Sequence, residues 1–396
     1  MTAIGRASER ETTSIAGDRQ ADTAALSLAN SVRLRILKKG KDRLADHDLD
    51  QVRAARADVA IRPEIAGFYH CVLDKTENRY SYRSYLAMDV LKPLLPTQGR
   101  IQTGRDLVSH LLGDLAEFER MTLENGGGDL LPHGRPSRQV ALKRIRKAGD
   151  LRESTNPSHE APDYMNGPVE SILHFSVLPV SDQHDEYLFI RVLQCYETIF
   201  TMMAMLLEEA IVATGSGEVS DVTSRMESAA TTLDQASGLF SLLATMPPAN
   251  FRSFRMQTDG SSAIQSEAYK LVEIFCALPR RARIDSPAFL SVPRVRQRAL
   301  SDQDSLASWH CRQQARWSDV EGKMMANALE RLETSHQKWK RTHYSIAKSM
   351  IGSSGGTGGT EGVEYLRKRT EARLFWPIGE QCPHQGLVPK MRNQSH

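Results

Sequence analysis

The segment 339–368 combines two features that could hold a cofactor and a small ligand. His343 lies in a stretch with helical spacing, and Thr357 follows fourteen residues later, between two glycines of a glycine-rich loop. A neutral imidazole held on a helix can ligate a metal ion or a heme iron. A glycine-rich loop lets the backbone come close to a small molecule. Together the two features predict a heme with an amino acid bound beside it.

The elements that would position these residues are helices. Apolar residues recur at helical spacing in 104–122 and 185–208, and the segments 220–243 and 266–277 also have helical character. Residues 305–350 could form one long helix or two, with tryptophan, methionine and leucine at core-like spacing. No run of alternating strands and turns occurs in the sequence. The predicted fold class is therefore mainly α.

A change in composition divides the helical segments. Residues 124–163 are rich in glycine, proline and charge, which predicts a long loop or linker. We expect an N-terminal helical region at 28–123 and a C-terminal helical domain at 164–396. Residues 1–27 are polar and are predicted to form a disordered leader. A chain of 396 residues can bury a full core and allows two or three domains.

Charge and hydropathy give no indication of a nucleic-acid or membrane partner. The chain has 51 basic and 48 acidic residues and a net charge of +3, so nothing in it demands nucleic acid or an anionic membrane. No uninterrupted apolar run approaches the roughly 20 residues of a membrane span. The N-terminal residues lack the apolar centre of a signal peptide. The sequence predicts a cytoplasmic protein that binds neither nucleic acid nor membrane.

The number and spacing of the five cysteines argue against a disulfide framework. The count is odd, no close pair occurs, and C-x-x-C is absent from the sequence. Cys195 and Cys276 lie in apolar periodic segments and are predicted to be small core residues. Cys382 differs, because it follows the glycine-rich loop in a stretch without helical periodicity.

Three motifs of the C-terminal half occur in one order. H-D-E-Y-L-F begins at His184, F-R begins at Phe251 with a later S-x-x-Q-S, and W-x-x-x-H with its G-T-G-G loop begins at Trp339. This ordered set resembles the pattern of the tryptophan 2,3-dioxygenases, a family of all-α heme enzymes. The resemblance covers roughly residues 164–370. It implies a dioxygenase-like helical heme fold, to which the N-terminal helical region is added. It also implies a homo-oligomer, since neighbouring subunits help to close the active sites of this family.

The resemblance assigns roles to single residues. His343 matches the proximal heme ligand, in register with Gly352 and Thr357. Arg252 matches the arginine that binds the substrate carboxylate, with Arg255 as the alternative. A guanidinium grips a carboxylate through two parallel N–H donors, which a lysine cannot do. Thr357 matches the threonine that contacts the amino-acid backbone of the substrate.

The chain departs from the family pattern at the distal histidine, where it has Leu193. A leucine can neither accept the indole proton nor hydrogen-bond bound oxygen. The F-R segment is also several residues longer before S-S-A-I-Q-S, so we expect a reshaped substrate pocket. A distal heme ligand would have to come from elsewhere. His110 and His184 are the favoured candidates, and His70 is a third.

Cys382 points to a particular branch of the wider superfamily. Thirty-eight residues separate it from His343. This spacing resembles the histidine and distant cysteine of the heme-dependent 3-methyl-L-tyrosine hydroxylases of saframycin-type antibiotic pathways. Those enzymes bind heme through one thioether and hydroxylate a phenol ring with hydrogen peroxide. The resemblance implies hydroxylation of tyrosine or 3-methyl-L-tyrosine ortho to the phenol, with the heme attached at Cys382.

Two other functions stay open. The first is a tryptophan or indole dioxygenase, against which Leu193 argues. The second is a non-catalytic heme-binding protein, such as a sensor or carrier, on the same scaffold. The presence of both Arg252 and Thr357 argues against it, because a carrier needs no contacts to an amino acid.

Overall fold

The computed structural model describes residues 4–57, 61–124, 128–156, 167–301, 303–352, 355 and 362–380, with side chains from residue 22 onward. Within these ranges the chain is helical and no β-strand occurs. A single isolated bridge joins His133 and Gln183 in the described part of the chain. The predicted mainly α fold is confirmed.

The helices cover most of the described chain. The α-helices in chain order are α1 (Ile4–Lys39), α2 (Asp46–Arg56), α3 (Pro63–Val72), α4 (Tyr82–Tyr85), α5 (Ile101–Glu124), α6 (Arg138–Thr155), α7 (Pro168–Phe175), α8 (His184–Ala213), α9 (Val219–Ala236), α10 (Leu239–Leu243), α11 (Pro248–Arg255), α12 (Glu267–Cys276), α13 (Arg281–Ile284), α14 (Pro287–Leu290), α15 (Pro293–Leu300), α16 (Leu306–Gln313), α17 (Asp319–Ile351) and α18 (Val363–Thr370). Short 3₁₀ turns are found at Lys41–Arg43, Lys92–Leu94, Ala263–Gln265 and Gln314–Arg316.

The chain forms two compact units, and both are discontinuous in sequence. The first unit is drawn from Met1–Ile199, Gln235–Ser266 and Ser345–Val363. The second unit is drawn from Phe200–Asp234, Glu267–Tyr344 and Glu364–His396. This division differs from the sequence-based one, which places a boundary at 124–163. A unit assembled from segments that are distant in sequence leaves no mark in local composition, so composition alone could not predict this division.

The segment predicted as a linker contains helix α6. Ser137 caps its start, where the Ser137 hydroxyl accepts a hydrogen bond from the Val140 amide at 3.4 Å. The charges of α6 suggest a solvated loop, yet the side chain of Arg144 is fully buried. Burial of that arginine is possible because two carboxylates meet it inside the first unit, as described below.

The segment predicted as a disordered leader lies largely within helix α1. Four small or branched apolar side chains at helical spacing are buried along the described part of α1: Ala25, Ala29, Val32 and Ile36. Tyr69 of α3 donates a hydrogen bond to the carbonyl of Ala25 at 2.7 Å. Packing against α3 therefore stabilises the part of α1 around Ala25.

Helix α8 supplies much of the core. By length and composition alone it is the one described helix that could cross a membrane, and 83% of its apolar window is buried. A mostly buried core helix of a globular protein passes the same test. Its Arg191 is also buried, and it donates to Asp114 Oδ2 at 2.7 Å, Ser176 Oγ at 2.7 Å and the Leu173 carbonyl at 2.8 Å. The expected absence of a membrane partner stays a prediction.

Candidate active site

His343 lies on α17 in the second unit, where its side chain is half-buried. Burial lowers the pKa of His343 to about 4. The imidazole is therefore neutral near neutral pH and keeps a nitrogen lone pair. A neutral imidazole is the donor that a heme iron would require, so this residue fits a heme, and an aromatic ring lies beside it. That ring is the indole of Trp339, with its centre 5.4 Å from the imidazole.

Other aromatic rings of the second unit pack around Trp339, which belongs to the same unit. The Trp339 ring centre lies 5.3 Å from Phe200 and 5.5 Å from Tyr269. His336 stacks on Trp339 at 6.2 Å and accepts or donates a hydrogen bond with the Tyr269 hydroxyl at 2.9 Å. His336, Trp339 and His343 share one face of α17, because they are three and four residues apart. Local spacing could have revealed this face, but the partners on α8 and α12 could not be deduced from it.

Arg252 and Arg255 lie on α11 in the first unit, with Pro248 at the first helical position. Arg252 donates to the Met350 carbonyl at 3.4 Å, and Arg255 donates to the Gly355 carbonyl. The structure thus places both arginines beside the end of α17 and the start of the glycine-rich loop. Arg252 is exposed, whereas Arg255 is half-buried and has its pKa lowered by burial. Arg252 is the more accessible guanidinium for a ligand carboxylate.

Two residues with predicted roles lie outside the described residues. They are Thr357, expected to contact the substrate backbone, and Cys382, expected to carry the thioether. Both roles stay predictions. The core assignment is confirmed for Cys195 and Cys276, which are buried free thiols. Cys311 is disulfide-bonded, which the odd count and wide spacing of the cysteines did not predict.

An apolar cluster surrounds α11. Met246, Phe254 and Met350 form its buried centre. Phe189 of α8 packs on Phe254 with ring centres 5.4 Å apart. Leu193, one turn after Phe189, is also half-buried in an otherwise buried stretch of α8. The cluster packs α11 against α8 and the end of α17 within the first unit.

The H-D-E motif is a buried polar anchor for α11. Asp185 accepts hydrogen bonds from Arg144 at 2.6 Å and from the Asn250 amide at 2.7 Å. Asn250 also donates to the Gly134 carbonyl at 2.8 Å. Asn250 belongs to α11, so Asp185 holds the helix that carries the two arginines. Sequence reasoning missed Arg144 and Asn250 because their partners are 41 and 65 residues away.

Arg144 also binds a second carboxylate. Its guanidinium lies 2.8 Å from Glu119 Oε1, and His184 Nε2 lies 3.3 Å from Glu119 Oε2. Burial alone would raise the pKa of Glu119, but the hydrogen bond with His184 and the charge of Arg144 hold this pKa below its ordinary value. All three side chains are almost fully buried. The network joins α5, α6 and α8 within the first unit.

Replacing Arg144 with methionine should lower the free energy of unfolding by about 3–5 kcal/mol, since it leaves two buried carboxylates without their cation. Chemical denaturation of the purified protein measures the change. Arg146→Met is the matched control, because Arg146 lies on the same helix and is exposed. Equal stability of the two variants would contradict the anchoring role.

The three histidines proposed as distal ligands have different surroundings. His184 Nε2 lies 3.3 Å from Glu119 Oε2 in the buried network, which indicates a structural role for this histidine. His110 is buried on α5, and burial lowers its pKa, so its imidazole is neutral. His70 is exposed on α3. The distal assignment stays a prediction for His110, His184 and His70.

Comparison with known proteins gives consistent results. Residues 162–286 match the family profile described as tryptophan 2,3-dioxygenase. The chain is 29% identical to the tryptophan 2,3-dioxygenase of Ruegeria pomeroyi over 236 residues, which cover 50% of this chain and 84% of that protein. It is 26% identical to the Bradyrhizobium diazoefficiens enzyme of the same name, with 50% and 83% covered. It is also 26% identical to a Pseudomonas fluorescens enzyme of that name, with 54% and 87% covered. Residues 162–286 thus resemble the tryptophan 2,3-dioxygenases, and the similarity to the relatives extends over about half of the chain.

Proposed function

We propose that this protein is a heme-dependent aromatic hydroxylase. It would use hydrogen peroxide to hydroxylate tyrosine or 3-methyl-L-tyrosine ortho to the phenol, in the biosynthesis of a natural product. The similarity to tryptophan 2,3-dioxygenases supports a heme oxidoreductase that acts on an aromatic amino acid. The observation that carries the finer proposal is Leu193, which stands on α8 where the dioxygenase pattern has a histidine.

His343 would hold the heme from the proximal side, and Cys382 would attach it through a single thioether. His110 or His184 would be the distal ligand. When bound, the heme supplies the oxidation chemistry. The neutral state of His343 supports its part in this assignment, because a protonated imidazole cannot ligate iron.

The substrate would be held at its amino-acid end. Arg252 would bind the carboxylate, and Thr357 would contact the amino-acid backbone. The apolar cluster beside α11 would pack against the ring. Holding one end of the substrate while confining the ring converts binding energy into orientation, which is a large part of rate acceleration. Leu193 offers no proton acceptor to an indole, which is why the proposal favours a phenolic ring.

The decisive experiment is product analysis. The purified protein, with its heme, is incubated with hydrogen peroxide and with tyrosine, 3-methyl-L-tyrosine or tryptophan in turn. We expect one oxygen atom to be added to a phenolic substrate, and isotope-labelled peroxide to supply that atom. Addition of two oxygen atoms to tryptophan from dioxygen would instead establish a dioxygenase, which the names of the relatives favour. No product and no change in the heme spectrum with any of the three would indicate a non-catalytic heme protein.

Arg252→Lys should lower kcat/KM by about 10- to 100-fold, because a charge-assisted bond is worth roughly 1.5–3 kcal/mol. Steady-state kinetics with the best phenolic substrate measure this loss. Arg255→Lys is the comparison, since both residues lie on α11 and contact the same end of α17 or its following loop. An unchanged Arg252→Lys enzyme with an impaired Arg255→Lys enzyme would move the carboxylate-binding role to Arg255.

We also propose a cytoplasmic homo-oligomer. Light scattering of the purified chain measures its mass in solution, and a monomer would contradict the oligomer.

A further inference from the structure

The second unit contains a continuous series of rings that begins at His343. The step from His343 to Trp339 spans 5.4 Å between ring centres, and the step from Trp339 to Tyr269 spans 5.5 Å. Phe200 packs against both Trp339 and Tyr269, at 5.3 and 5.1 Å. The indole and the phenol are the two side chains in this series that can lose one electron most readily. The series therefore connects the candidate heme ligand to an oxidisable phenol.

Tyr269 lies at the end of this series, and its hydroxyl is hydrogen-bonded to the imidazole of His336. Its hydroxyl lies 2.9 Å from Nε2 of His336, and the two rings are stacked with centres 6.0 Å apart. His336 is only 3% exposed, and its Nδ1 has no hydrogen-bond partner among the described residues. Tyr269 is thus the one direct hydrogen-bond contact of this imidazole in the described part of the chain.

The surroundings keep both groups neutral before any reaction. Burial holds the pKa of His336 well below its ordinary value, with Lys340 and Arg369 adding to the effect and Glu273 opposing it. Burial also raises the pKa of Tyr269. A phenol that has lost an electron is a far stronger acid than the phenol itself, so it would give its proton even to this weakened base. In a low-dielectric interior the oxidation would be costly without such an acceptor.

We propose that Tyr269 and His336 form a proton-coupled redox pair that donates an electron to the His343 site through Trp339. The proposal rests on the proposed heme and peroxide chemistry. One electron leaves the phenol of Tyr269 and reduces by one equivalent the heme that has reacted with hydrogen peroxide. The O–H bond of Tyr269 breaks, and its proton forms an N–H bond at Nε2 of His336. The products are a neutral tyrosyl radical and an imidazolium.

Such a pair would act as an electron donor when no substrate is present. Oxidising equivalents left at the heme would then pass to Tyr269 and spare the cofactor and its neighbours. A small reductant such as ascorbate would return the electron to the radical. If the rings were only core packing, replacing the phenol with a phenyl group would leave the oxidation chemistry unchanged.

The test uses the full-length, heme-loaded protein mixed with hydrogen peroxide without substrate and frozen at short times for electron paramagnetic resonance. We expect a tyrosyl radical in the wild type, and its hyperfine pattern should change when the protein is made with ring-deuterated tyrosine. Tyr269→Phe should lose this signal and bleach its heme faster. His336→Gln should lower the radical yield while heme content is kept. Tyr365→Phe is the control, because Tyr365 is a half-buried tyrosine of the same unit. Its hydroxyl accepts a hydrogen bond from Arg283 at 2.9 Å.

The outcomes separate this inference from the proposed function. A tyrosyl radical that persists in Tyr269→Phe, or the lack of any radical in the wild type, would overturn the redox pair even if phenols are hydroxylated. A radical assigned to Tyr269 in a protein that hydroxylates nothing would support the pair and reject the hydroxylase. A wild-type protein that binds no heme, judged by its absorption spectrum, would reject both.

Discussion

His343→Ala is expected to purify without its normal heme. His343 lies on α17 and carries the imidazole proposed to ligate the iron, whereas alanine offers no lone pair to iron. Loss of a metal ligand should exceed the roughly 10- to 100-fold effect typical of residues that only support a ligand. The heme-to-protein ratio and the Soret band measure the loss. Circular dichroism shows whether the variant keeps its helices.

His310→Ala is the matched control for this variant. His310 is a half-buried histidine of the same unit, on α16, and burial lowers its pKa as it does for His343. It should keep full heme. Added imidazole should restore part of the Soret band to His343→Ala. A His343→Ala protein with full heme and an unchanged spectrum would disprove the proximal assignment.

The pKa of His343 also predicts how the stability of the heme-free protein depends on pH. Its folded value of about 4 lies below the ordinary 6.5, so protonation opposes the folded state. The unfolded chain binds more protons between these two values, and stability from this group rises with pH across that window. The contribution is complete above about pH 6.5 and is lost as the pH falls toward 4.

Heme should stay with the wild-type polypeptide during extraction with acidified organic solvent, and Cys382→Ala should release it completely. A thioether withstands acid, whereas histidine ligation is lost once the imidazole is protonated. Absorbance of the organic phase measures the released heme, and the mass of the intact chain shows whether heme is attached. The expected change is all or none, because one bond decides the outcome.

Cys276→Ala controls for the loss of a thiol as such. Cys276 is a buried free thiol at the end of α12, and burial raises its pKa well above the ordinary value. That variant should retain its heme under the same extraction. Complete release of heme from the wild type would reject the thioether and leave a non-covalent heme protein. Activity can survive in Cys382→Ala, since ligation by His343 and attachment at Cys382 are separate bonds.

The sequence by itself determined the helices whose apolar residues repeat at helical spacing. The predicted 104–122 lies within α5, 185–208 lies within α8, and 266–277 nearly coincides with α12. The two possibilities for 305–350 resolve into α16 and α17, separated by a 3₁₀ turn. These elements were predictable because the pattern that forms an amphipathic helix is contained within a few turns of chain. The helical position of His343, four residues after Trp339, was predictable for the same reason.

Only the tertiary structure decided which distant residues complete the polar and aromatic clusters. Helix α6 resembles a charged linker until Arg144 meets Glu119 and Asp185, which lie 25 and 41 residues away. Likewise His336 is an ordinary helical histidine until Tyr269, 67 residues away, reaches it. A buried charge or hydrogen bond is stable only with its partner, and the partner is supplied by packing rather than by neighbouring sequence. The periodicity of a chain therefore determines its helices, and the folded core determines what their polar residues do.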